Sequence, residues 1–147
     1  MFNKLKLVLG IILFLSFFNL TIAKENFFNS AKNKFEEKKL EESKFLFQRN
    51  IVFNPKDAQS YLYLAKIYNS EENEKEEEKN LNTTLLLDPK NEEAMYMLIK
   101  IKLKKSNYSE VQELKEKFVI ICIKLCEKVK SVNERLENIE AKNETKQ

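Results

Sequence analysis

The hydrophobic pattern divides the chain into three stretches. At the start, Lys4 and Lys6 precede a run from Leu7 to Phe18 that is nearly all apolar, and no further charge occurs before Lys24. Near the end, Val111, Phe118, Leu125, Val132 and Ile139 recur every seven residues, with Cys122, Val129 and Leu136 as an adjoining row. Together they predict one apolar stripe along a helix. Unbroken from Ser109 to about Glu140, that helix would be about 48 Å long at 1.5 Å per residue. In the middle, apolar runs such as Leu85-Leu86-Leu87 stop at a proline. Proline lacks the N–H and biases the residue before it away from the helical region, so each such point predicts a helix end.

The middle stretch keeps a beat of 34 residues. Asn54-Pro55-Lys56-Asp57-Ala58 returns as Asp88-Pro89-Lys90-Asn91-Glu92. The same step relates Asn73 to Asn107, each followed three residues later by glutamate, Glu76 and Glu110. Asparagine followed at that distance by glutamate predicts a helix N-cap with its reciprocal partner. Each unit of 34 therefore holds one helix stop and one helix start, which predicts two antiparallel helices per unit.

In this the chain resembles the tetratricopeptide repeat family, whose units are 34-residue helical hairpins. Units placed at residues 24–57, 58–91 and 92–125 set Phe27, Tyr61 and Met95 at the bulky fourth place. Ala31, Ala65 and Ile99 fall at the small eighth place, and Ser43, Glu77 and Val111 at the small twentieth, where Glu77 departs from the family pattern. Phe47 and Leu81 suit the twenty-fourth place and Lys115 does not; Pro55 and Pro89 close their units and the third has no such proline. The resemblance implies an all-α fold, an α-α superhelix of about three hairpins with a C-terminal capping helix. Residues 126–140, the end of the long helix, either fold back as that cap or pair with a second chain as a coiled-coil dimer. A bend near Ser131-Val132-Asn133 would permit the cap. Residues 141–147 are polar and expected to form a disordered tail.

The resemblance also implies a concave groove lined by the first helix of each unit. Its fifth places hold Phe28, Leu62 and Tyr96, its ninth Lys32, Lys66 and Lys100, and its twelfth Phe35, Asn69 and Leu103. An apolar column beside three lysines suits a protein or peptide partner with acidic residues and apolar anchors. Some members grip a C-terminal carboxylate with a Lys/Asn/Asn/Lys/Arg set. Phe28, Lys32, Tyr63, Glu93 and Met97 stand at those positions here, so that activity is not implied. The run from Glu71 to Glu78 surrounds a helix start, where carboxylates meet the positive end of the dipole.

Composition narrows the chemistry. The chain has no His, no Trp, a single glycine (Gly10) and two prolines. Without His there is no Ser-His or Cys-His catalytic pair and no His metal ligand. One glycine cannot build a phosphate-cradling loop. No catalytic residue, metal site or cofactor is expected. Two of the 26 basic residues lie in the leading segment, which leaves 24 against 23 acidic ones in the remainder. That balance argues against a nucleic-acid partner.

Cys122 and Cys126, one helical turn apart, remain open between two small buried apolar residues, a disulfide local or between chains, and, as a remote alternative, a thiol-redox pair. Haem attachment fails because Glu127 follows Cys126 and no His exists, and zinc lacks further ligands.

The first 23 residues have the order of a secretory signal: lysines, an apolar core, then small residues in Thr21-Ile22-Ala23. The exported chain is then periplasmic. The alternative is an inner-membrane anchor of residues 7–23 with the rest facing the periplasm, the one case in which a membrane contact is expected.

Overall fold

The computed structural model describes residues 27–144, with side chains through residue 138. The expected leader and residues 145–147 lie outside the described residues. Those described are helical, with no strand among them. Residues 27–36 form α1, followed by α2 (Leu40–Phe53), α3 (Ala58–Ser70), α4 (Glu74–Leu87), α5 (Glu92–Lys104), α6 (Tyr108–Ile121) and α7 (Glu127–Glu144). Two compact units divide at Leu64 and Ala65, within α3.

The three hairpin tops share one geometry. Lys38, Glu72 and Ser106, 34 residues apart, hold φ of 62°, 57° and 57°. The residue after each donates its N–H five residues back: Lys39 to the Lys34 carbonyl, Asn73 to Tyr68 and Asn107 to Lys102, all at 2.9 Å. This left-handed helix ending normally takes glycine; a chain without glycine beyond Gly10 makes it with ordinary residues. Asn73 and Asn107 cap the following helices by accepting the N–H of Glu76 and Glu110 at 3.3 and 3.4 Å. The cap backbone N–H is given to the turn and not to the glutamate, but Glu110 Oε2 still accepts from Asn107 Nδ2 at 2.7 Å.

In the first unit, α1 and α2 close over small residues. Ser43 Oγ donates to the buried Ala31 carbonyl at 2.8 Å, so a hydroxyl at the close-packed place is satisfied across the hairpin. The Asn54–Asp57 corner is held by buried polar groups. Asn50 Nδ2 donates to Asp57 Oδ2 at 2.7 Å and to Ser60 Oγ at 2.9 Å, and Ser60 Oγ donates to Asp57 at 2.7 Å. Phe47, fully buried, stacks on Tyr63 with ring centroids 4.9 Å apart.

In the second unit, α4 packs on α5, α5 on α6 and α6 on α7. Ile67, Leu81, Ile99, Val111, Phe118 and Val132 are fully or almost fully buried. An ion-pair network ties three helices together. Glu78 of α4 pairs with Lys102 and Lys105, Lys102 reaches Glu110 of α6 at 2.9 Å, and Glu74 meets Lys104 at 2.7 Å. The two ammonium groups on Glu78 hold its carboxyl below the usual carboxylate range.

Two expectations are corrected. The helix from Ser109 to Glu140 is not continuous, nor does it bend near Ser131-Val132-Asn133: α6 ends at Ile121, residues 122–126 turn, and α7 starts at Glu127. Cys122 occupies the place of Asn54 and Asp88 in the 34-residue frame, and all three are helix C-caps. A spacing of seven is met equally by one long helix and by two helices that each bury a face, so it could not separate them. Further, α7 continues to Glu144, so residues 141–144 are helical and not the start of a disordered tail. The stripe residue Val132 is buried within the chain, which withholds it from a second chain while α7 stays docked.

Candidate functional site

The second unit carries a cleft of about 640 Å³ lined by α5, the end of α3, the corner after α6 and the start of α7. Tyr96, Met97 and Leu125 give it apolar surface, and Lys66, Lys100, Lys124 and Lys128 line it with Glu92 and Glu93. Tyr96 is fixed by stacking on Phe118, ring centroids 6.1 Å apart. Lys66 meets Glu93 at 2.8 Å. Asn69 donates to both carboxylate oxygens of Glu77 at 3.1 Å.

Glu77 stands where the family pattern wants a small residue. It is buried. Burial pushes its carboxyl up, opposed by the Asn69 bond and by Lys100. The carboxylate is accommodated because α3 supplies a donor for both oxygens.

The corner closing this cleft is unlike the earlier two. Cys122 and Cys126 form a disulfide with Cα atoms 5.2 Å apart, where the other corners have Asx-Pro-Lys-Asx. Glu92 Oε2 accepts the backbone N–H groups of Lys124 at 2.9 Å and Leu125 at 2.8 Å. In the preceding corner the capping side chain is local, Asn91 accepting from Ala94 at 3.0 Å; Leu125 has none, and the glutamate 33 residues upstream serves instead.

Of the nine groove positions read from sequence, Lys66, Asn69, Tyr96 and Lys100 line this cleft. Leu103 lines a second one of about 450 Å³ with Lys100, Lys104, Arg135 and Asn138. In the first unit, Phe28 and Phe35 both meet Tyr63 edge-on, with centroids 6.0 and 5.2 Å away. Leu62 is only 3% exposed and presents no surface to a partner. Lys32 lies 3.9 Å from Glu36 on its own helix. Lys124, Leu125 and Lys128 were not among the sequence candidates. The available signal was the step of 34 from Asn91 to Leu125, which puts a fourth helix start beside the groove.

The sequence matches no family model, and no curated protein is recognisably similar to it. Solved structures are similar in fold. The Yersinia enterocolitica type III secretion chaperone SycD, in complex with a peptide of the translocator YopD, superposes with a TM-score of 0.69 at 18% identity, over 81% of this chain and 93% of that one. The TPR domain of Sgt2 from Aspergillus fumigatus gives 0.67 at 13% identity, over 83% and 82%. This is the tetratricopeptide repeat fold. The second TPR of Spaghetti (RPAP3), bound to the HSP90 peptide SRMEEVD, gives 0.61 at 18% identity, over 67% and 92%. Within the tetratricopeptide frame α7 begins where a fourth unit would, and so serves as the capping helix that repeat stacks need.

Among the described residues, no three His, Cys, Asp or Glu side chains come together in a way that could hold a metal ion. No described helix is long and apolar enough to cross a membrane.

Proposed function

We propose that the chain is a non-catalytic scaffold that holds a peptide segment of another protein in the cleft beside α5. The observation that carries this reading is the cleft's composition: four lysines against two glutamates around Tyr96, Met97 and Leu125. Glu93 is paired with Lys66 and Lys128 with Glu127, and Glu92 is held by backbone N–H groups, which leaves Lys100 and Lys124 for a guest. The surface that remains is cationic and apolar, which suits an acidic peptide with an apolar anchor. The peptide complexes of SycD and RPAP3 support the reading by fold.

The lysine-then-apolar order of residues 4–23 supports an exported protein working on the periplasmic side. The C-terminal carboxylate grip is not part of the proposal, because Glu93 and Met97 stand where that set is basic or amide.

A panel of acidic peptides with one Leu or Phe anchor, read by fluorescence anisotropy, tests the site. Lys100→Glu with Lys124→Glu is expected to weaken binding about tenfold or more, about 1.4 kcal/mol. Added salt is expected to weaken it as well. Binding that ignores both changes would count against the cleft.

A further inference from the structure

The third corner lacks the restraints that hold the first two. The step of 34 from Asn54-Pro55-Lys56-Asp57 and Asp88-Pro89-Lys90-Asn91 leads to Cys122-Ile123-Lys124-Leu125. Proline fixes φ at the second place of the earlier corners; Ile123, 85% exposed, stands there in the third. At the fourth place a side chain caps the next helix, Asp57 accepting the Gln59 N–H at 3.3 Å and Asn91 the Ala94 N–H at 3.0 Å. Leu125 has no polar group to offer. Two ties take over. Glu92 reaches across from α5 to the Lys124 and Leu125 N–H groups. The disulfide joins Cys122, the C-cap of α6, to Cys126, the residue before α7. A proline ring is permanent, whereas a disulfide is made and broken by thiol exchange.

The bond lies within reach of an outside thiol. Cys126 is exposed and Cys122 half-buried. They are the chain's only two cysteines, so no internal thiol can open the bond. The segment it closes is also a wall of the peptide cleft, which Lys124 and Leu125 line from between the two cysteines and Lys128 from just beyond them. Opening the bond leaves that segment to the Glu92 contacts and to the packing of the buried Val132 of α7. A freed corner samples more conformations, and a guest must then order Lys124 and Leu125 at a cost to its own affinity.

We propose that the Cys122–Cys126 disulfide is a reversible latch on the peptide cleft, opened by an external dithiol and closed again by the disulfide form of that dithiol. This rests on the reading of the cleft as a peptide site and adds its regulation. A thiolate of the dithiol attacks Cys126 Sγ, the bond to Cys122 breaks, and Cys122 leaves as a thiolate that takes up a proton. The second thiolate of the dithiol then attacks its own partner sulfur in the mixed disulfide. Cys126 is released and takes up a proton, and the dithiol ends as a disulfide. Two electrons and two protons have passed from the dithiol to the chain. Latched, the cleft wall is set before the guest arrives; unlatched, it is not.

The test uses dithiothreitol on the full chain, with the acidic peptides bearing a Leu or Phe anchor as guests. The reduced chain is expected to hold them about fivefold less tightly or worse. By linkage, bound peptide should raise by the same factor the ratio of reduced to oxidised dithiothreitol needed to open the bond. Amides of α7 are expected to exchange faster after reduction, while those of α4 and α5 keep their rates. Cys122→Ser with Cys126→Ser should bind like the reduced chain and ignore dithiothreitol. Equal binding by the oxidised and reduced chains would overturn the latch and leave the scaffold reading standing. Binding by neither would overturn the scaffold reading and the latch with it. A bond that dithiothreitol cannot open in the folded chain would overturn the latch alone. So would faster exchange throughout α4 to α6 on reduction, which would make the bond a brace for the whole unit.

Discussion

The Glu92 carboxylate accepts the backbone N–H of Leu125 at 2.8 Å, a bond spanning 33 residues. It joins the first turn of α5 to the corner from which α7 hangs, replacing the local cap that the sequence omits there. That N–H, with those of Ile123 and Lys124, holds the Glu92 carboxyl below the usual carboxylate range. A folded value below the unfolded one stabilises fully above the unfolded value and is lost as pH falls through the folded value. Amides of α7 are therefore expected to exchange faster on acidification, before those of α4 to α6. Glu92→Gln should bring that behaviour to neutral pH. Unchanged exchange in α7 would remove the anchoring role.

The disulfide closes the same corner. Joining Cys122 to Cys126 restricts a five-residue loop of the unfolded chain, worth roughly 2 kcal/mol in the loop-entropy picture. Cys122→Ser with Cys126→Ser is expected to lower the urea midpoint accordingly and to loosen α7 selectively. Thiol titration of the native oxidised chain should find no free cysteine.

The hairpin tops offer a gain. Glu72 adopts φ of 57° without being glycine, a conformation that costs an ordinary residue about 1–2 kcal/mol. Glycine also widens the unfolded ensemble, which offsets part of the benefit. Glu72→Gly is expected to stabilise by about 1 kcal/mol in denaturant titration. Destabilisation would show that the Glu72 side chain matters more than its backbone.

Glu77 titrates in the opposite sense to Glu92. Burial raises its carboxyl in the folded chain, so the native state binds more protons than the unfolded one above the ordinary carboxylate value. Stability then falls as pH rises through that window. Glu77→Gln keeps an acceptor for Asn69 and removes the charge. It is expected to be more stable than the parent at neutral pH, with the difference vanishing at low pH. A difference independent of pH would assign the effect to packing.

How much of this was legible beforehand differs element by element. The corners at Asn54-Pro55 and Asp88-Pro89, and the caps at Asn73 and Asn107, are local events, set by a missing N–H or a side-chain acceptor a few residues away. They could be read from neighbours in sequence. The groove residues of the first unit could not. Whether Phe28 and Phe35 face outward or meet Tyr63, and whether Leu62 is covered, depends on rings from other helices.

The sequence by itself determined the all-helical class, the 34-residue step and the places where helices start and stop, because propensity, capping and proline act over a single turn. Only the tertiary structure decided that α6 and α7 are separate helices and that Lys124, Leu125 and Lys128 line the cleft. Nor could sequence place a glutamate from α5 as the anchor of the last corner. Those outcomes depend on which surfaces and donors meet across tens of residues, and an apolar spacing along one chain does not encode what it packs against.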